Sequence, residues 1–313
     1  MMIERSHVPL RPRKASRGRP RKAAGSLPSA DQMRRLKFIE RAALWTGQVG
    51  RRAVATTFDV SVGHVTSDFQ RYREMAPDNL SYDVGEKCFR PTNAFEPIFG
   101  PEDPANVLNT VAATATLSHQ DRARLLGFDL SVDAVQALPM AIDQTLLVSI
   151  CRSITAGSML EIDYQSMSTP DPVRRTFAPH ALIFTGQRWL TRGWDGRHEE
   201  FRDIALARIL RTGVVQSIDD LPRDAQWHDR VSIDLVPRDN LSSGQRAVTA
   251  REFGMQVRSD GTVGVTINPR QAMVPYILDQ YRLRPSDATA QALPIRLVDY
   301  AAIQRFDRRS QQV

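Results

Sequence analysis

The stretch Asp59-Val60-Ser61-Val62-Gly63-His64-Val65-Thr66-Ser67-Asp68-Phe69-Gln70-Arg71-Tyr72 decides how the first third of the chain folds. Asp59-Val60-Ser61 has turn chemistry, and a serine just ahead of a periodic apolar run is placed to accept the first unsatisfied N–H groups of a helix. Val62, Val65, Phe69 and Tyr72 then recur at helical spacing and form one apolar face. A short helix over 51–58 precedes the turn, set off by Gly47 and Gly50. Before it, Met33, Leu36, Ile39, Ala43 and Leu44 mark a longer helix that Asp31 can cap. Ala76-Pro77-Asp78-Asn79 stops the third helix, and strands over 80–84 and 87–91 around Gly85 read as a hairpin. Three helices and a hairpin make residues 31–92 a winged helix-turn-helix.

Burying that apolar face turns Gly63, His64, Thr66, Ser67, Gln70 and Arg71 outward, with Ser61 at the helix start. Small and hydrogen-bonding side chains near a helix N-terminus suit base edges in a DNA major groove. Arg51 and Arg52 are available for phosphates, and Lys87 sits on the hairpin, the expected wing. The same elements could instead pack as a protein-interaction module.

Charge separates these readings. The chain has 313 residues, enough for two or three domains, and a net charge of +7. Residues 1–30 hold eight basic side chains against Glu4 alone, which accounts for the whole excess; the rest of the chain is balanced. This Pro- and Gly-containing segment is expected to be a disordered polycationic tail, and nucleic acid is the commonest partner of such a tail. Within it Arg17-Gly18-Arg19-Pro20 resembles an AT-hook core, whose two arginines could enter an A·T-rich minor groove. No run of about 20 apolar residues suggests a membrane span, and no apolar stretch follows the N-terminal basic residues as in a secretory signal. A cytoplasmic protein with no membrane partner is expected.

Residues 93–142, with four prolines between Pro91 and Pro104, read as a linker with helical stretches near 105–117 and 120–125. Leu146, Leu147, Ile150, Cys151 and Ile154 then form a helical stripe ending at Gly157. Strand-like runs follow at 159–165, 175–178, 181–185, 188–192 and 200–206, a pattern of a compact antiparallel sheet or barrel. A last α/β piece spans 229–313, with strands over 231–236 and 262–267 and helices near 244–251 and 270–281, the latter expected to kink at Pro275.

The motifs Tyr164-Gln165-Ser166-Met167-Ser168, Arg175-Thr176-Phe177-Ala178-Pro179-His180-Ala181-Leu182, Arg188-Trp189-Leu190-Thr191-Arg192 and Phe201-Arg202-Asp203-Ile204-Ala205-Leu206-Ala207-Arg208-Ile209 come in this order. Together they resemble a WYL domain over 143–215, in the branch of WYL regulators associated with phage-defence islands. Trp189 keeps the first letter of the eponymous triad, while Leu190 and Thr191 replace the usual Tyr and Leu. Leu241-Ser242-Ser243-Gly244-Gln245-Arg246, Phe253-Gly254-Met255 and the 270–278 segment resemble the extension that follows WYL domains, with Met273 where Leu is usual. The resemblance implies an α+β chain: winged helix-turn-helix, helical linker, Sm-like β-barrel (WYL) domain and C-terminal α/β dimerisation extension.

The residues themselves suggest an anion pocket in the sheet. Tyr164, Ser166, Arg175, His180, Arg192, Arg202 and Arg208 supply hydroxyls, an imidazole and guanidiniums, and Trp189 could stack a base. Arginines paired across strands with Asp203, Glu199 or Glu200, and a core Trp189, would account for the same residues without a ligand. The expected function is a homodimeric, ligand-responsive transcriptional repressor on an inverted-repeat operator of a phage-defence locus. Its partners would be double-stranded DNA, a second copy of itself and a nucleotide or oligonucleotide effector, with no other cofactor. An RNA or single-stranded DNA binding module, or an accessory subunit of a defence complex, stays open. An enzyme is not expected: the six histidines lack metal-ligand spacing, Cys88 and Cys151 have no nearby base, and no GxSxG, Walker A or GxGxxG motif occurs.

Overall fold

The computed structural model describes residues 27–100, 102–168, 170–216, 221–287 and 293–307. The chain divides into two units, Met1–Val135 and Gln136–Val313.

The first unit is built from α1 (Ala30–Thr46), α2 (Arg51–Phe58), α3 (Val62–Met75), the hairpin β1 (Leu80–Asp83) and β2 (Cys88–Pro91), then α4 (Pro104–Ala113) and α5 (His119–Leu126). Ser29, not Asp31, caps α1; Asp31 lies inside the first turn, where its charge faces the positive end of the helix dipole. Asp59 adopts a left-handed φ of 52° to reverse the chain, and the Ser61 side chain caps α3 by accepting from the His64 N–H, as expected.

The inner face of α3 differs from the sequence reading at one end. Val62 is 46% exposed because it is the first helical residue and lies over the turn. The inner stripe is instead Val65, Asp68, Phe69 and Tyr72. Asp68 is buried because Arg35 and Gln32 of α1 reach it, Arg35 Nε at 2.6 Å and Gln32 Nε2 at 3.0 Å. A carboxylate at a core position carries no apolar signal, so only the fold reveals it. Leu36, Ile39, Val54 and Leu80 complete this core, and Phe69 stacks on Phe89 of β2 at 4.2 Å. Residues beyond the hairpin add a second small core of Val107, Val111, Leu126 and Phe128 against Trp45 of α1.

The second unit opens with α6 (Gln144–Ala156), which Gly157 ends at a left-handed φ of 61°. It covers a five-stranded antiparallel sheet of β3 (Met159–Tyr164), β4 (Val173–Phe184), β5 (Trp189–Asp195), β6 (Glu200–Ala205) and β7 (Ile209–Gln216), in the order β6-β5-β4-β3-β7. Leu146, Ile150, Leu160, Ile162, Phe177, Ile204 and Ile209 form the core between them. The strand number matches expectation, but its composition does not. The two runs on either side of Pro179 are one long strand, because Pro179 sits at a register shift in the β4–β5 ladder. There its missing N–H costs no ladder bond. β7 escaped the sequence reading because Gly213 interrupts its β-rich run. Among the described residues no ladder joins β6 to β7, so the sheet is open rather than a closed barrel.

Gly193 marks the tightest approach to backbone atoms in this sheet. A Cβ there would lie 2.3 Å from the Ala178 carbonyl oxygen and 2.7 Å from Pro179 Cα, both backbone atoms that cannot step aside. Gly193→Ala is therefore expected to destabilise the protein by about 3 kcal/mol, the upper end of ordinary overpacking costs. Urea unfolding followed by far-UV circular dichroism measures it; an unchanged midpoint would contradict this backbone packing.

The chain continues through α7 (Ala225–His228), β8 (Ile233–Pro237), α8 (Ser243–Glu252), β9 (Gln256–Val257), β10 (Val263–Ile267), α9 (Val274–Tyr281), β11 (Ile295–Leu297) and α10 (Ala301–Gln304). A second sheet runs β11-β8-β10-β9. The helix expected over 270–281 starts only at Val274, after a 3-10 turn. Pro275 thus falls in the first turn of α9, where its missing N–H is no loss and no kink results. Met273, Tyr276 and Trp227 pack onto Ile183, Leu190 and Ala205, seating α9 on the five-stranded sheet.

Candidate nucleic-acid interface and arginine-lined cavity

In the first unit, Ser61, Gly63, His64, Thr66, Ser67 and Gln70 are exposed along α3, and Arg71 is half-buried. The Thr66 hydroxyl donates to the Val62 carbonyl at 2.8 Å, and the Ser61 Oγ and His64 Nδ1 share a hydrogen bond at 2.9 Å. Arg71 turns back along the helix to Glu74 at 3.2 Å.

Arg51, at the start of α2, lies 4.9 Å over both Tyr82 and Phe89 of the hairpin. Two aromatic faces hold this guanidinium in place, which lowers the entropy it has left to lose in any further contact. Arg51, Thr66, Gln70 and Arg73 line one cleft of about 440 Å3 against Phe89. Arg52 and Lys87 are exposed, Lys87 at a left-handed φ of 55° in the hairpin turn. Arg90 is taken up by Asp83 at 3.0 Å. Arg17 and Arg19 lie outside the described residues.

In the second unit, a cavity of about 570 Å3 opens on the five-stranded sheet. Of the eight expected ligand residues, Tyr164, Ser166, Arg175 and Arg202 line it. Arg175 is buried; its Nη1 donates to Asp195 at 2.7 Å and its guanidinium lies 5.0 Å over the Tyr164 ring. Its Nε is buried without a hydrogen-bond partner among the described residues. Burial pushes the Asp195 carboxyl up, but hydrogen bonds from His198 and Arg175 outweigh it and hold the group below its ordinary value. Arg202 pairs with Glu200 at 2.5 Å.

His180, Trp189, Arg192 and Arg208 do not line this cavity. Arg192 is fully buried, with Nη1 on Asp203 at 2.8 Å and Nε and Nη2 on Asp224 at 2.6 and 2.9 Å. His180 Nε2 meets the same Asp224 at 2.9 Å. Burial acts to raise the Asp224 carboxyl, yet the His180 and Arg192 hydrogen bonds prevail and keep it ionised far below the usual carboxylate range. Trp189 lies an odd number of residues from Arg192 on one strand and so faces the other side, where it packs on Phe184 at 5.0 Å. Arg208 sits in the 3-10 turn before β7, and its carbonyl accepts from the Gln165 N–H.

The cavity also gathers Arg197, His198, Gln226, Arg305 and Phe306, which sequence reasoning missed. Arg197 and His198 follow an Asp195-Gly196 turn that could have been read as a hairpin presenting cations. Arg305 and Phe306 come from the far end of the chain and carry no local signal.

Three family models match in succession. They are the BrxR transcriptional regulator winged helix-turn-helix domain over residues 31–113, the WYL domain over 145–214, and the BrxR transcriptional regulator C-terminal dimerization domain over 230–303. Among curated relatives, a DNA-binding transcriptional repressor CapW from Escherichia coli (strain KTE188) is 32% identical, covering 80% of this chain and 83% of that protein. The chain belongs to this family of WYL-domain transcriptional regulators. A CapW from Pseudomonas aeruginosa is 30% identical over 85% of this chain and 88% of its own, and one from Stenotrophomonas maltophilia 32% over 83% and 87%. The family is regulatory, not enzymatic. The match to proteasome accessory factor B/C of Arthrobacter aurescens, a solved structure, covers 96% of this chain and 50% of that one at 16% identity, with a TM-score of 0.23. No helix among the described residues is long and apolar enough to cross a membrane, and no group of His, Cys, Asp and Glu there could hold a metal.

Proposed function

We propose that the protein represses transcription as a homodimer, with two α3 helices entering successive major grooves of an inverted repeat that controls a phage-defence locus. A nucleotide or short oligonucleotide in the arginine-lined cavity would release it. The observation that carries DNA binding is the exposed polar face of α3 sharing a cleft with Arg51 and Arg73. Side chains that can read base edges stand there beside cations that can hold phosphates. The matched dimerization domain supports two copies, whose half-sites would lie about 34 Å apart or a multiple of it. The cavity's guanidiniums support an anionic effector, which must favour one dimer geometry to alter operator affinity.

A salt-dependent mobility shift on the protein's own upstream intergenic DNA, with unrelated duplex and single strands as competitors, tests this. Tight binding to one inverted repeat is expected; equal binding to every duplex, or preference for single strands, would overturn it. Removing residues 1–26 is expected to lower affinity and flatten its salt dependence, since fewer counterions are released; an unchanged slope would show the tail idle. Arg202→Ala is expected to keep operator binding while raising the effector concentration needed for release about tenfold or more. Loss of DNA binding by this variant would defeat the division of labour.

A further inference from the structure

We infer that Arg305 is a ligand-contacting residue, so that the cavity is a composite site whose anion is held from both the five-stranded sheet and the C-terminal segment. This rests on the cavity being the effector site. The matched WYL domain ends at residue 214 and the matched dimerization domain at 303, so neither covers Arg305 or Phe306. Both nevertheless line the cavity with Tyr164, Arg175 and Arg202.

Their position is fixed from the neighbouring residue. Asp307 is fully buried and takes Arg284 Nε at 2.6 Å, Arg284 Nη2 at 2.9 Å and the Tyr300 hydroxyl at 2.8 Å. Arg284 also reaches Asp279 at 2.5 Å. A bidentate guanidinium–carboxylate pair out of water is directional and costly to break, so it holds the backbone at 307 and with it the two residues before. This knot sets where the turn at Arg305 and Phe306 runs, and that turn forms part of the cavity wall.

The chemistry fits an anion with more than one charged group. Arg305 lies 4.7 Å over the Phe306 ring, which keeps the guanidinium flat. Arg202, half-buried on β6 and paired with Glu200 of the same lining, brings a guanidinium to the cavity from the five-stranded sheet. Guanidiniums from two separate parts of the chain can each take an oxyanion, as adjacent phosphates would require. A single phosphate needs only one of them.

Isothermal titration of the full-length protein with pyrophosphate, and separately with a 5′-phosphorylated tetrathymidylate, at fixed ionic strength tests the inference. Arg305→Gln should weaken both probes about tenfold or more without moving the unfolding midpoint, because Arg305 is exposed. Arg305→Lys should restore part of the loss, and Arg211→Gln, exposed on β7 and outside the cavity, should change nothing. If Arg305→Gln binds both probes as the parent does, the composite site is wrong; if the parent binds neither, the anion site itself falls and the inference with it. If the parent binds pyrophosphate alone and Arg305→Gln weakens it, the composite site stands and the nucleic-acid reading of the effector fails.

Discussion

Replacing Arg192 with methionine is expected to destabilise the 136–307 unit by about 3–5 kcal/mol, the usual cost of removing one partner from a buried ion pair. Arg192 has no exposure, and it is the shared counter-ion of Asp203 and Asp224. Methionine fills much of the volume but leaves two carboxylates with one hydrogen-bonding cation fewer in a region water does not reach. Tyr276 on Asp203 and His180 on Asp224 remain, at 2.7 and 2.9 Å, and offset only part of the loss. Chemical denaturation checks the magnitude. Adding Asp224→Asn should recover part of it, because the uncompensated charge, not the missing bond, dominates. If the double variant is less stable than Arg192→Met by the full cost of Asp224→Asn alone, the pair is not coupled and the account fails. The Asp224 carboxyl sits below its unfolded value, so its contribution is complete above about pH 4 and is lost as pH falls through the folded value.

Gln70→Glu is expected to weaken operator binding at least about 100-fold, roughly 2.7 kcal/mol, with the fold intact. The change is isosteric and exposed, so the helix loses little beyond a few tenths of a kcal/mol from like charge with Glu74, four residues on. On DNA the same change turns a side chain that can donate into an acceptor-only anion, in a cleft that Arg51, Arg73 and Glu74 also line, facing a polyanion. Gln70→Ala removes the contact without the repulsion and should cost about tenfold. Fluorescence anisotropy on the upstream inverted repeat, with far-UV circular dichroism as the folding control, reads both. Equal affinity of Gln70→Glu and the parent would mean that α3 does not enter the groove.

The elements that could be read in advance share one property: their signals are local. Ser61 ahead of Val62, Gly157 after the 146–154 stripe and Gly85 between two short strands each act within a few residues, and each stands where expected. The misreadings share the opposite property. Pro179 looks like a strand break in isolation but is tolerated at a register shift opposite Gly193. Pro275 looks like a kink, yet α9 starts one residue before it because the preceding turn packs on the sheet.

The same division separates the candidate sites. The nucleic-acid face lies on one helix, so periodicity alone assigned Gly63, His64, Thr66, Ser67 and Gln70 to its exposed side, and counting charges placed the whole net positive charge in the first 30 residues. The cavity is assembled from strands and segments far apart in the chain. Strand register put Arg192 opposite Asp203 and buried it, while Arg175 and Arg202 reached the cavity. The residue type is the same in all three, and so is its chemistry in isolation. What separates Arg175 and Arg192, each held within 3 Å of a buried carboxylate, from the half-buried Arg202 is which carboxylates the folded backbone brings close and how much water it leaves around them. Those are non-local quantities, and they exist only once the sheet and the C-terminal segment have met.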